Sequence, residues 1–513
     1  MSDNKSSNKR LAKNSMFLSI RMVIVLAISL YTTRIVLQTL GVIDYGIYNV
    51  VCGFVLLFGF LNTSMSNGIQ RFINYEYSKS GEIGAREVFC TSVVIQILLS
   101  ILVVVTLEII GLWYLHNKMV IPVDRMVAAE WIFQFAIISF VIGILQAPFA
   151  AAVTAHEKFD FYAIVSVIDA VLKLIAVFLL QLTSIDKLII YGAFITLVCL
   201  IGFIIHYVYC KIIFREIRFS FNYCKLNLLK KMLAFSGWNL FGSLSGVMEV
   251  QGINLVINFF YGPVVNAARG IATQINAGVM AFVGNISTPV RPQVTQSYAI
   301  GDVDRTINLT YSVSKISCAI ILILSIPASI EMDYIMHMWL GNTIPNHAVT
   351  FTVLVLITQL VNSLNAAISN VVHATGIMKE YQLWSGIVRL CSIPLSIILL
   401  KLYSIPELAL IAVFICSCIS HLVGLVIVRN LVPISLQRYF KNVVWPILLV
   451  LVIGVLMTLI PHFILNEGFL RLIIVSIWSF IVISLSFFFI VFNENERNLS
   501  IQLLNPVISF FKF

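Results

Sequence analysis

Eight residues between positions 266 and 291 fall on one face of a single helix. Asn266, Arg269, Thr273, Asn276, Met280, Gly284, Ser287 and Arg291 recur at steps of three or four, close to the helical period of 3.6. Every member is polar or small except Met280, and an arginine stands near each end. Guanidinium groups suit bidentate binding of phosphate oxygens. The chemistry on offer is recognition of an anion, not bond-making. Pro289 and Pro292 flank Arg291 and are expected to kink the helix, because each removes a backbone donor. Carbonyls freed there must face protein or water, not lipid, so kink and cation together are expected to shape the mouth of a wet cavity. The plainer reading of such a stripe is close helix packing through small residues. Shorter polar faces occur at Thr63, Asn67 and Arg71, and at Gln359, Ser363, Asn370 and His373.

The same charge type recurs elsewhere in apolar surroundings. Arg21, Arg34, Arg71, Lys173, Arg269, Arg291, Lys315 and Arg389 lie inside hydrophobic blocks, against three acids away from the block ends, Glu108, Asp169 and Glu249. A charge at mid-bilayer costs about 2.5–3.5 kcal/mol even on the insertion scale, so such groups are expected to face a bundle interior or a wet path. Arg21, Arg71 and Arg291 lie close enough to one membrane face, and Arg34 and Arg269 to the other, for their head groups to climb to the interface. Lys173, Glu249 and Arg389 sit near mid-span. Asp169 and Lys173 are four apart and can pair on one helix face. The candidate anion-binding set is Arg21, Arg34, Arg71, Arg269, Asn276, Arg291, Lys315 and Arg389. The nine cysteines are scattered without a CxxC pair, so neither a disulfide framework nor a metal site is indicated.

The elements that must position these side chains are membrane helices. The chain is 60% hydrophobic and only 11% charged over 513 residues, more apolar surface than a soluble core absorbs. Its apolar blocks have the length that crosses about 30 Å of hydrocarbon. Fourteen spans are expected, at 14–40, 47–74, 88–115, 127–155, 162–182, 188–210, 233–260, 264–296, 307–330, 348–374, 381–402, 407–428, 442–461 and 469–492, and are numbered here in that order. Twenty lysines and arginines outside the spans lie on the N-terminal side and five on the other. The positive-inside rule therefore predicts both termini in the cytoplasm. The basic start, MSDNKSSNKRLAKNSMFLSI, is read as a cytoplasmic tail leading into span 1, since no small-residue cleavage site follows. Loops are too short for a soluble catalytic domain, and no GxxxxGK[ST] loop exists to hold ATP.

A repeat organises the spans. Arg71, Gly81 and Glu82 have counterparts 220 residues on in Arg291, Gly301 and Asp302. YGIYNVVCG at 45–53 resembles YGPVVNAARG at 261–270 with one insertion, and AHEKFDFY at 155–162 resembles ATGIMKEY at 374–381. At the same offset Asp169 falls opposite Arg389. An even number of spans per repeat makes the repeats parallel, a transporter architecture with the path between halves. The expected organisation is an N-terminal lobe at 1–210, a basic cytoplasmic linker at 211–232, a C-terminal lobe at 233–430, and spans 13 and 14 with a tail at 431–513. The linker is basic and weakly amphipathic; its plainer reading is an interfacial helix on anionic lipid, and the two roles are compatible.

GVIDYGIYNVVCGFVLLFGFLNTSMSNGIQRFINYEYSKSGE, YGPVVNAARGIATQINAGVMAFVGNISTPVRPQVTQSYAIGD and MHMWLGNTIPNHAVTF resemble the Wzx-type O-antigen and polysaccharide flippases of the multidrug/oligosaccharidyl-lipid/polysaccharide (MOP) superfamily. The resemblance implies two six-helix bundles plus extra helices. It implies movement of a polyprenyl-diphosphate-linked oligosaccharide from the cytoplasmic to the periplasmic leaflet of the bacterial inner membrane by alternating access. Lipid-linked oligosaccharide, membrane lipid and the polysaccharide polymerase machinery would be its partners; nucleic acid would not. The related lipid II flippases carry arginines on helices 1, 2 and 8, matched here by Arg21 and Arg34, Arg71, and Arg269 and Arg291. Ion-coupled exchange in the superfamily implies H+ or Na+ coupling, with Glu249, Asp169 and Glu108 as the acids, and no other cofactor. The rivals are an organic-cation exporter of the same superfamily, a lipid II or teichoic-acid flippase, and a membrane polymerase or ligase. An exporter of cations should gather acids, and an enzyme needs catalytic groups on a sizeable loop.

Overall fold

The computed structural model describes residues 2–156, 158–494 and 496–498; the side chains of 2–20, 63, 67, 78, 234–239, 285–289, 291, 292 and 299 lie outside that description. The described chain is helical throughout, without a strand. Among the described residues, twelve helices are long and apolar enough to cross a membrane. Two of them, Arg21–Leu56 and Leu240–Gly284, are broken by a glycine of positive φ, Gly41 (81°) and Gly262 (74°). Each break separates two crossings, which reconciles twelve long helices with fourteen spans. Large apolar side chains such as Ile109, Phe463, Leu470 and Phe489 stand exposed on these helices, as lipid-facing positions do.

The repeat is written into the backbone. Gly41 and Gly262 are 221 residues apart, and Gly81 (φ 61°) and Gly301 (φ 78°) are 220 apart. An L side chain is strained at each of these torsions. The helix breaks therefore recur where the sequence repeats.

The helices depart from expectation in four places. The stretch 75–87, read as a loop, is helical on both sides of Gly81. Its Glu, Lys and Arg residues form helix well in water, so hydropathy marked the membrane edge and not the end of the helix. The linker is no interfacial helix between Phe214 and Lys225: it is extended around one short turn at Phe221–Tyr223. Span 3 supplies its partners. Arg86 Nε donates to the Arg218 carbonyl (3.1 Å), Thr91 Oγ1 accepts from Lys225 N (3.2 Å), and Lys225 pairs with Glu87 (2.5 Å). The helical backbone continues through Pro289 and Pro292, and the break in that helix lies at Gly262 instead. Span 11 is interrupted at Cys391, beside Arg389.

Two compact units result, Met1–Ile271 with Asn342–Ala348 and Arg389–Ala412, and Ala272–Gly341 with Val349–Val388 and Val413–Phe513. Among its described residues the first has apolar cores around Ile47, Leu107 and Phe133 and around Met65, Phe89 and Phe149. Arg125 ties it further, bonding Asp44 just after the Gly41 break and Asp186 at the start of span 6, both at 2.6 Å. The second unit is built around Leu322, Ile368, Val428, Tyr439 and Phe487. There spans 13 and 14 lie against span 9. Buried Glu331 accepts from Arg471 (2.7 Å) and bonds His462 (2.7 Å) at the end of span 9, while Glu496, after span 14, bonds Lys315 (2.8 Å) and Ser312 (2.5 Å).

Candidate functional site

Three of the intramembrane charges meet in the first unit. Glu249 on span 7 lies within electrostatic reach of Arg389 on span 11 and Arg269 on span 8. Arg269 is 6% exposed, two turns after the Gly262 break. Its neighbour on the stripe, Asn266, is buried as well. Glu249 Oε1 is buried without a hydrogen-bond partner among the described residues. Arg389 reaches Gly246, one helical turn before Glu249. Two guanidinium groups thus share the surroundings of one buried carboxylate. In a low-dielectric setting a pair of guanidinium groups favours an anionic guest.

On the side of span 7 away from Glu249 runs a polar face that sequence reading overlooked. Gln251, Asn254, Asn258 and Tyr261 recur at steps of three and four. Asn254 Nδ2 donates to Gln251 Oε1 (2.8 Å). Asn258 binds both backbone groups of Val120, accepting from its N (3.0 Å) and donating to its O (3.3 Å). The signal was the same periodicity that marked span 8, hidden because these residues carry no charge.

Small residues let this face come close to span 2. A Cβ at Gly46 would stand 1.9 Å from the Pro263 carbonyl oxygen, one at Gly53 2.8 Å from Gln251 Oε1, and one at Gly270 2.8 Å from the Asn49 side chain. Glycine at 46 is therefore a requirement of backbone approach, as at small-residue helix crossings in membranes.

The other expected site residues are distributed. Arg21 lies over the Tyr162 ring, 4.7 Å from its centroid, a cation–π contact. Arg34 is half-buried and Arg71 exposed. Asp169 and Lys173 form the expected pair (2.8 Å), both about two-fifths exposed. Glu108 sits in a π-helical turn and accepts from Gln134 (3.3 Å). Asn276 and Lys315 belong to the second unit. Asn276 is half-buried, with Oδ1 lacking a hydrogen bond among the described residues, and Lys315 is neutralised by Glu496. The side chain of Arg291 lies outside the described residues, as do those of Thr63 and Asn67.

Outside the spans, His156 bonds Glu216 of the linker (2.8 Å) and stacks on Phe214. The hydrogen bond that His156 donates to Glu216 raises the His156 pKa above its ordinary value. Burial pushes the Glu216 carboxyl up, but the bond to His156 outweighs it and leaves the group lowered.

The chain is similar in fold to solved MOP-superfamily transporters. No protein-family model matches the sequence, and no curated protein matches it. Solved structures do. A lipid II flippase, MurJ, in an inward closed conformation superposes with a TM-score of 0.69 at 17% identity, over 92% of this chain and 99% of that one. An inward-facing multidrug resistance MATE family transporter of the MOP superfamily gives 0.66 at 13%, over 80% and 97%. A MOP superfamily transporter from Pyrococcus furiosus, described as having a binding pocket of reverse polarity, gives 0.57 at 14%, over 82% and 95%.

Proposed function

We propose that this chain is a flippase for a polyprenyl-diphosphate-linked oligosaccharide, moving it from the cytoplasmic to the periplasmic leaflet of the bacterial inner membrane for O-antigen, capsule or related surface polysaccharide. The observation that carries this reading is the Arg269–Arg389–Glu249 cluster, which gathers two guanidinium groups around one buried carboxylate. A diphosphate brings the complementary charge, and the fork of arginine can hold two of its oxygens at once. Similarity in fold to a structure described as a lipid II flippase supports the same class of cargo. In this reading Arg21, Arg34, Arg71, Asn276 and Arg291 remain further candidate anion-binding residues. Glu249 is the counter-charge that cargo displaces and the leading group for H+ or Na+ coupling. Both termini are cytoplasmic, and polymerase machinery takes up the delivered units. Catalytic bond-making has no place in this scheme.

An organic-cation exporter is the rival that the MATE neighbours support. Lipid II and teichoic-acid flippases share the proposed chemistry and differ only in the glycan or polymer carried. Deleting the gene in its host and assaying lipid-linked repeat units by leaflet tests the proposal. Accumulation on the cytoplasmic side, with loss of surface polysaccharide, is expected. Unchanged surface polysaccharide together with lost resistance to cationic drugs would replace the flippase reading with the exporter.

A further inference from the structure

The second unit holds a polar cavity of about 450 Å³. It lies between the first turns of spans 9 and 13 and the end of span 14, on the face that the lysine and arginine excess marks as cytoplasmic. We propose that it binds the phosphodiester headgroup of an anionic phospholipid.

The charges lining it decide the sign of the guest. Lys315, Arg438 and Lys441 are its cations; Asp304 and Glu496 are its acids. Lys315 and Glu496 cancel in their 2.8 Å pair. Arg438 and Lys441 remain, both exposed and in no ion pair among the described residues, against Asp304 alone. One net positive charge matches one phosphodiester. Asn308 and Asn442 add amides to the lining, and spans 9 and 13 both begin at the rim, presenting the positive ends of their dipoles. Basic pockets between helices on the cytoplasmic face are the setting in which anionic head groups are held.

The walls select a lipid over a free phosphate. Pro446, Ile490 and Phe492 line the cavity. The apolar faces of spans 13 and 14 continue from there into the bilayer with Leu448, Val452, Leu485 and Phe489 exposed. Trp445 is exposed beside it, where indole rings favour the membrane interface. Acyl chains leaving the cavity would lie on those faces. A zwitterionic headgroup would bring an ammonium toward Arg438 and Lys441.

The test is lipid retention by the purified full chain, read by native mass spectrometry and by thermal shift. Phosphatidylglycerol, phosphatidylcholine, glycerol phosphate and a polyprenyl diphosphate are the probes. Phosphatidylglycerol should be retained and should raise Tm relative to phosphatidylcholine. Combining Arg438→Ala with Lys441→Ala should lower that retention about tenfold or more, and Asp304→Asn should raise it. All three side chains are exposed, so the variants should fold, and wild-type Tm in phosphatidylcholine checks that they do. The proposal is overturned by equal retention of phosphatidylglycerol in the double variant, or by equal effects of the two phospholipids. Glycerol phosphate producing the full shift would make this a free-anion site. Displacement of phosphatidylglycerol by the polyprenyl diphosphate would make it a cargo site. None of these readouts is export, so the lipid site and the flippase reading stand or fall separately.

Discussion

Arg269 and Arg389 bring two fixed charges to one buried carboxylate, and their identity as arginine matters at the residue scale. Arginine does not shed its proton as lysine can, and it offers a planar fork of donors. Replacing Arg269 or Arg389 by Ala is expected to lower export at least about tenfold, the loss of one charge-assisted contact, with expression retained on a membrane blot. Arg269→Lys should recover part of the loss, because charge returns without the fork. Glu249→Gln should tighten binding of a soluble diphosphate probe, since the cargo no longer competes with a carboxylate. Weaker binding in that variant would mean Glu249 orients the arginines instead of opposing the cargo. Arg269 was legible as a candidate from its place on a polar stripe. Its meeting with Glu249 and Arg389 was not, because those residues are 20 and 120 positions away and no local period connects them.

Elements position that cluster through breaks and close approaches. Gly46 has no room for a side chain against the Pro263 carbonyl, so Gly46→Val must separate spans 2 and 8. A destabilisation of about 1–3 kcal/mol is expected from such overpacking, read as a lower Tm. Thiol labelling of Asn258→Cys should also accelerate as Val120 moves away. The linker supplies a pH-dependent contact. His156 is raised by Glu216, so its contribution is full below the ordinary histidine pKa of about 6.5 and is lost as pH climbs through the raised value. Glu216 is lowered, so its contribution holds above the ordinary carboxylate range and fails as pH falls through the depressed value. Proteolysis within 214–225 should therefore be slowest between those limits, and Glu216→Gln should flatten the alkaline side of the profile. Hydropathy located the helices but not their ends. Polar turns at 75–87 continue a helix that the apolar count had closed, and side chains of span 3 hold a linker that its own amphipathicity had marked as helical.

On the scale of the whole molecule, spans 13 and 14 are fastened to span 9 through Glu331 and Glu496. Arg471→Ala leaves a fully buried carboxylate with one partner fewer, and breaking such a pair costs about 3–5 kcal/mol. A marked drop in Tm is expected, whereas Lys173→Ala, at a half-exposed pair, should change it little. The membrane-crossing helices and the repeated glycine positions were legible in the sequence alone. Each apolar block must bury its own backbone bonds in lipid, and each left-handed break calls for glycine, so both leave local marks. Gly81 and Gly301 stood out in the sequence as members of the repeat, and only the backbone shows that they are left-handed. Which charges cancel and which remain was decided only by tertiary structure. Lys315 and Arg269 look alike in an apolar block, yet one is neutralised by a carboxylate 181 residues away and the other lies with Arg389 within electrostatic reach of Glu249. Coulomb energy depends on distance in space, and in a helical membrane protein that distance is set by the packing of whole spans.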